Sequence, residues 1–106
     1  MSVVWIHQYR PRTSWYSLTD DQQARWLAQW DEVERASAAR TGTERLGEWS
    51  VRGVSRFERV VLWRFPGVQE VEGHWDRLRG AGYDDWRHSE NLLGSPPQPF
   101  RDGGGA

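Results

Sequence analysis

The sequence has no cysteine, no lysine and a single methionine. Without thiols there is no disulfide, no thiolate nucleophile and no Cys-based zinc or iron–sulfur site. Without a lysine amine, Schiff-base and P-loop chemistry are excluded. No apolar run approaches the roughly 18 residues of a membrane-spanning helix. The opening MSVVWIHQYR lacks the basic start and apolar run of a signal peptide, so a cytoplasmic protein is expected. An excess of one charge is missing too: 14 arginines stand against 15 acidic residues, for a net charge of −1. That balance argues against nucleic acid as a partner and against a polybasic membrane-surface role. There is no Gly-rich phosphate loop, no G-x-S-x-G and no Ser-His-Asp arrangement. The three histidines fall on separate segments without an i, i+4 pair, so no metal site is expected. Arginine as the sole basic residue, in an Ala/Gly/Trp-rich chain, matches a GC-rich bacterial genome and says little about function.

What the chain has in abundance is aromatic bulk: 8 Trp, 3 Tyr and 3 Phe in 106 residues. The length suits one domain, and the composition shifts only at the end. Ser95 to Ala106 (SPPQPFRDGGGA) is Pro- and Gly-rich, so residues 1–94 are expected to fold and 95–106 to form an extended arm or a disordered tail. The β-branched and aromatic run Val3–Arg10 reads as a strand stopped by Pro11. Thr19-Asp-Asp-Gln22 is a capping box, opening a helix that runs to Arg40 with Trp26, Leu27, Trp30 and Val33 on one face. Strands follow at Leu46–Arg52 and Arg56–Phe65, the latter closed by Pro66-Gly67. Val68, Val71, Trp75 and Leu78 mark a second amphipathic helix ending at Gly80 or Gly82. Asp85–Leu93 alternates as a last strand, with a short helix or loop as the rival reading.

The order β-α-β-β-α-β is the ferredoxin-like plan, an α+β fold whose helices cover one sheet face. Here the strands are apolar on both faces, with Trp5 against Val4 and Ile6, and Trp63 against Val60 and Leu62. The face bearing Trp5 and Trp63 is expected to lie open and to be covered by a second copy, making a homodimer.

Three segments, SWYSLTDDQQARWL, VVLWRFPG and AGYDDWRHSENLLG, resemble a small uncharacterised bacterial family within the dimeric α/β-barrel superfamily. The resemblance implies two ferredoxin-like protomers sharing a barrel, with a pocket between helix layer and barrel interior. It also implies a range of functions: cofactor-free monooxygenases and cyclases of aromatic polyketides, lactone isomerases, haem-degrading enzymes, chlorite dismutase relatives and non-enzymatic members. Fold alone does not choose among them.

Candidate residues follow from alternation along the strands. Trp5, His7 and Tyr9 share a face, and a His and Tyr about 7 Å apart can act as base and hydrogen-bond donor, or simply pack. Trp86, His88 and Glu90 share another, where the carboxylate would raise the basicity of the imidazole. Asn91 either caps the turn into Gly94 or polarises a substrate carbonyl. Arg59 points with Trp63 and needs Glu48, Glu58 or an anionic ligand as partner. Trp5, Trp49 and Trp63 offer walls for a flat ligand, beyond what so small a core needs. His74 lies beside the buried stripe of the second helix; it and His88 are the candidates for a haem ligand.

The expectation is therefore a cofactor-independent enzyme acting on a planar aromatic or polyketide-like metabolite. Its catalytic candidates are His7, Tyr9, His88 and Glu90, and its binding candidates Trp5, Trp49, Arg59, Trp63, Trp86 and Asn91. The alternative is a binding protein for haem or another hydrophobic ligand, or a dimeric interaction module.

Overall fold

The computed structural model describes residues 2–53 and 55–97. From Gln98 onward the expected Pro/Gly tail lies outside the described residues. Strand β1 (Val3–Pro11) leads through a 3-10 turn at Thr13–Ser17, which no sequence period marks, into helix α1 (Asp20–Ala38). The capping box forms: the Thr19 hydroxyl accepts from the Gln22 N–H at 3.2 Å, and the Gln22 side chain accepts from the Thr19 N–H at 2.9 Å. Asp20 and Asp21 add favourable charge to that first turn. Strand β2 (Glu44–Ser50), strand β3 (Arg59–Phe65) and helix α2 (Val68–Gly80) follow.

Strand β3 is shorter than the expected Arg56–Phe65. The Ser55 hydroxyl accepts from the Phe57 N–H at 3.0 Å, a side-chain turn that competes with the ladder and tucks Phe57 into the interior. The expected strand at Asp85–Leu93 is divided. Tyr83–Trp86 forms a short helix, α3, and strand β4 is Arg87–Gly94. Gly82 makes this break with φ of +80°, and a Cβ there would sit 2.7 Å from the Trp26 ring. Conformation and space both demand glycine at this position. Trp86 accordingly ends a helix and is not a strand residue.

The sheet order is β2-β3-β1-β4, with every neighbouring pair antiparallel. This is the ferredoxin-like α+β fold: β1 and β2 flank β3, β3 and β4 flank β1, and each parallel pair is joined by a crossover helix. The uniform handedness of such crossovers puts α1 and α2 on the same side.

Register then decides which side chains they cover. Trp5 pairs with Trp63 and His7 with Val61 across β1 and β3, while His7 pairs with Asn91 across β1 and β4. The core lies on this covered face, where Trp5, Trp63 and Phe65 are 1–2% exposed and meet Trp30, Val71 and Leu78 from the helices. Trp5 and Trp63 thus belong to the covered face, which corrects the expectation that they lie open. The indoles are the largest side chains of the strands, and the space beneath two helices is where their area leaves water. The opposite face carries half-buried Val4, Ile6, Val60 and Leu62, with Leu92 and Trp49 exposed. Among the described residues no helix is long and apolar enough to cross a membrane.

Candidate functional site

A line of hydrogen-bonded side chains runs through the covered face. His7, 3% exposed on β1, has its Nδ1 2.6 Å from the Asn91 carboxamide oxygen and its Nε2 2.6 Å from the Tyr83 hydroxyl. A carboxamide oxygen only accepts, so Nδ1 carries the proton and Nε2 accepts from Tyr83. Burial lowers the His7 pKa to about 4, against the raising effect of Asn91, and keeps the ring neutral. Burial likewise raises the Tyr83 phenol, against the lowering effect of Arg87. The phenol oxygen accepts in turn from Arg87 Nη1 at 3.1 Å.

Arg87 is the centre of the arrangement. Its guanidinium carbon lies 4.1 Å from the ring centroid of Tyr9, 4.8 Å from Trp30 and 5.0 Å from Tyr83. Such a cation is held by three aromatic faces. Among the described residues no carboxylate salt-bridges it. Below it is a cavity of about 20 Å³, room for one water, lined by Trp5, His7, Trp63, His74 and Tyr83 among others. Above it a cleft of about 610 Å³ opens between α1 and the sheet, lined by Tyr9, Leu27, Trp30, Glu34, Glu48 and Arg87 among others. Tyr9, Glu34, Glu48 and Arg87 border both spaces. Leu27 stays 44% exposed at the mouth.

The two carboxylates of this cleft differ in environment. Burial raises the pKa of Glu34, against the opposing charge of Arg45. Burial also pulls Glu48 upward, but the Tyr9 hydroxyl and Arg59 and Arg45 outweigh it and hold Glu48 below the usual carboxylate range. Tyr9 donates to Glu48 at 2.8 Å, Arg59 Nη1 reaches the same oxygen at 2.8 Å, and Arg45 bridges Glu48 at 2.8 Å and Glu34 at 3.2 Å. The Tyr9 phenol is pushed up to about 12, chiefly by burial. The two carboxyl groups are thus shifted in opposite directions, Glu34 up and Glu48 down.

His74, fully buried on α2, lies among Trp5, Trp63 and Phe65. Ser37 Oγ is 2.6 Å from its Nδ1 and accepts from Arg77 Nη2 at 2.9 Å. His74 Nε2 has no hydrogen-bond partner among the described residues. Burial and the Arg77 charge bring the His74 pKa to about 4.

Of the residues singled out from sequence, the structure brings together Trp5, His7, Tyr9, Trp63 and Asn91, with Arg59 at the rim through Glu48. It separates the others from them. Trp49 is on the opposite face, where its ring lies over Gly47. His88 and Glu90 are exposed there too, and Glu90 pairs with Arg56 and makes no bond to His88. Trp86 packs against Trp15 and Trp26 beneath α1. Sequence reasoning did not single out Arg87, Tyr83 and Glu34 for chemistry. A signal for Arg87 existed: counting by twos from Asn91 reaches Ser89 and then Arg87 on the face of His7 and Tyr9.

No protein-family model and no curated protein matches the chain. Solved structures do. A variant of the chlorite dismutase from Candidatus Nitrospira defluvii superposes with a TM-score of 0.76 at 11% identity, over 93% of this chain and 41% of that one. Another variant of the same enzyme, in complex with cyanide, gives 0.74 at 10% identity, over 96% and 43%. A dimeric ferredoxin-like protein of unknown function from Thermobifida fusca gives 0.51 at 15% identity, over 87% and 90%. The chain thus spans about two-fifths of the chlorite dismutase chains it matches. At such identities the likeness shows the fold.

Proposed function

We propose that the chain is a small-molecule enzyme that binds a planar, enolisable aromatic or polyketide-like compound in the cleft between α1 and the sheet, without a cofactor. One observation carries the reading: Arg87, caged by Tyr9, Trp30 and Tyr83 at the floor of that cleft and without a carboxylate salt bridge among the described residues. A guanidinium so placed stabilises an enolate or phenolate oxygen, while the flanking rings hold a flat body. Glu34, its pKa raised by burial, is the group to take a proton from substrate and return it elsewhere. Glu48 stays ionised and holds Tyr9 in place. Isomerisation and cyclisation need only such transfers; oxygenation would add dioxygen as co-reactant.

Haem, the alternative cofactor, finds no seat at His7 or His74 as folded, and His88, the other candidate ligand, is exposed on the opposite face, away from the cleft beside α1. His74 borders the cavity of about 20 Å³, which cannot hold a macrocycle, and both His7 nitrogens are engaged. No histidine lines the larger cleft between α1 and the sheet.

The second sheet face supports a homodimer. Its middle row, Leu62–Ile6–Leu92, is apolar, with Arg64–Glu44 and Arg56–Glu90 ion pairs at either side. An apolar centre with a charged rim is the composition of a self-complementary contact.

The enzyme reading is tested by deuterium exchange at the acidic carbon of an aryl 1,3-diketone, followed by NMR, with tryptophan quenching as the measure of binding. Glu34→Gln should keep quenching and slow exchange by roughly 10²-fold, the usual share of general acid–base catalysis. Arg87→Gln should weaken quenching about tenfold, as loss of a charge-assisted contact does. Quenching and exchange that are the same in all three proteins would overturn the assignment.

A further inference from the structure

A second cleft, of about 460 Å³, wraps the free edge of β4 on the far side of Arg87 from the proposed substrate site. Its charge is distinctive in a chain of near-zero net charge. Arg10 and Arg12 from the end of β1, Arg56 from the turn before β3, and Arg87 and His88 from β4 converge on one space. The acidic groups in that space are Asp84 and Glu90, and both are occupied: Asp84 pairs with Arg79 at 3.3 Å and Glu90 with Arg56. Among the described residues no carboxylate salt-bridges Arg10 or Arg12. Arg12 is also fixed in direction, since its Nε donates to the Asp84 carbonyl at 2.8 Å and its backbone N–H to the Trp86 carbonyl at 2.8 Å. Phe57 and Trp75 supply the apolar part of the wall.

Charges on an edge strand guard against pairing with other chains, and that accounts for His88 and Glu90. It does not account for Arg10 and Arg12, which lie on an inner strand and its exit yet turn to the same space. Like charges brought together repel unless something negative sits between them, and a guanidinium is the group that meets phosphate or carboxylate through paired N–H bonds. We propose that this cleft is a binding site for a small-molecule phosphate ester: Arg10 and Arg12 hold the phosphoryl oxygens, and the half-buried Trp75 takes the organic body. The field already registers on His88. Desolvation, followed by the Arg12, Arg10 and Arg56 charges, holds its imidazole below the ordinary value, and a bound dianion reverses that.

His88 is thus a built-in reporter. In the full-length protein at constant ionic strength, phenyl phosphate should shift the His88 ring resonances saturably and raise the titration midpoint, leaving the buried His7 and His74 unchanged. Inorganic phosphate should do the same more weakly, since it lacks the aromatic body. Arg10→Gln and Arg12→Gln should each weaken binding by about tenfold or more, as loss of a charge-assisted bond implies. Arg64→Gln, on the sheet face and paired with Glu44, should leave binding as in the wild type. A His88 shift that is linear in concentration, or that sodium chloride reproduces, would overturn the site. So would equal affinity for inorganic and phenyl phosphate, or a short single-stranded oligonucleotide that outcompetes both.

Discussion

The two faces of the sheet are built from the same strands and differ in what they do with size and polarity. Beneath the helices the strands place their largest side chains, Trp5, Trp63, Phe65 and Tyr9, and with them one buried polar ring, His7, bonded to Asn91 and Tyr83. Across the sheet they place Val4, Ile6, Val60 and Leu62, medium-sized and half-buried, between ion pairs. The first face has a closed interior with a cleft beside α1; the second is an apolar row between ion pairs. Size thus follows the helices, and charge follows the edges.

The contrast breaks most directly at matched neighbours in β3. Trp63→Ala on the covered face should cost about 3–5 kcal/mol, as large-to-small changes of buried Trp do, and lower the melting temperature by about 4–8 °C for each kcal/mol. Leu62→Ala, one residue away on the other face, should cost less than about 1.5 kcal/mol in the same melt. Equal losses would mean that the two faces are equally part of the folding core.

A second difference is titration. The covered face holds two neutral histidines, His7 and His74, with pKa values of about 4 against an ordinary 6.5. Their folded pKa values lie below the unfolded one, so the unfolded chain binds more protons between the two. Stability is full above about pH 6.5 and is lost as the pH falls toward 4. Each costs at most on the order of 3 kcal/mol of stability once the pH falls below about 4, from about 1.4 kcal/mol per unit. Urea melts at several pH values between 7.5 and 4.5 should show this slope; a flat profile would place both rings in contact with water.

The smallest effect on folding and the clearest on assembly is expected at Ile6→Arg. In the middle row of the second face, a charge there should leave the melting curve of dilute protein nearly unchanged and turn the sedimenting species from a dimer into a monomer of 12.4 kDa. Wild-type protein that sediments as a soluble monomer would remove the proposed homodimer.

Local chemistry made much of this legible. Thr19 and Gln22 announced the helix start, because a capping box is settled by residues three positions apart. The β-branched and aromatic runs announced β1 and β3, and period-two alternation put Trp5, His7 and Tyr9 on one face. Alternation also showed that both faces are apolar, without saying which of them the helices cover. That omission misplaced Trp5 and Trp63, and it left Trp49, His88 and Glu90 grouped with residues on the opposite side of the sheet.

The amino-acid sequence by itself determined the four strands, the two long helices and their order, and hence the ferredoxin-like plan, since propensity, capping and alternation act over a few residues. The short helices at Thr13–Ser17 and Tyr83–Trp86 it did not determine. Only the tertiary structure decided which residues meet at the candidate site. The bond between His7 and Tyr83 spans 76 positions and that between Tyr9 and Glu48 spans 39. The caging of Arg87 by Tyr9, Trp30 and Tyr83 depends on strand register and on the side to which the crossovers turn. Partners so far apart in the chain leave no local pattern, because what joins them is the hydrophobic closure of helices over one face, a property of the whole fold.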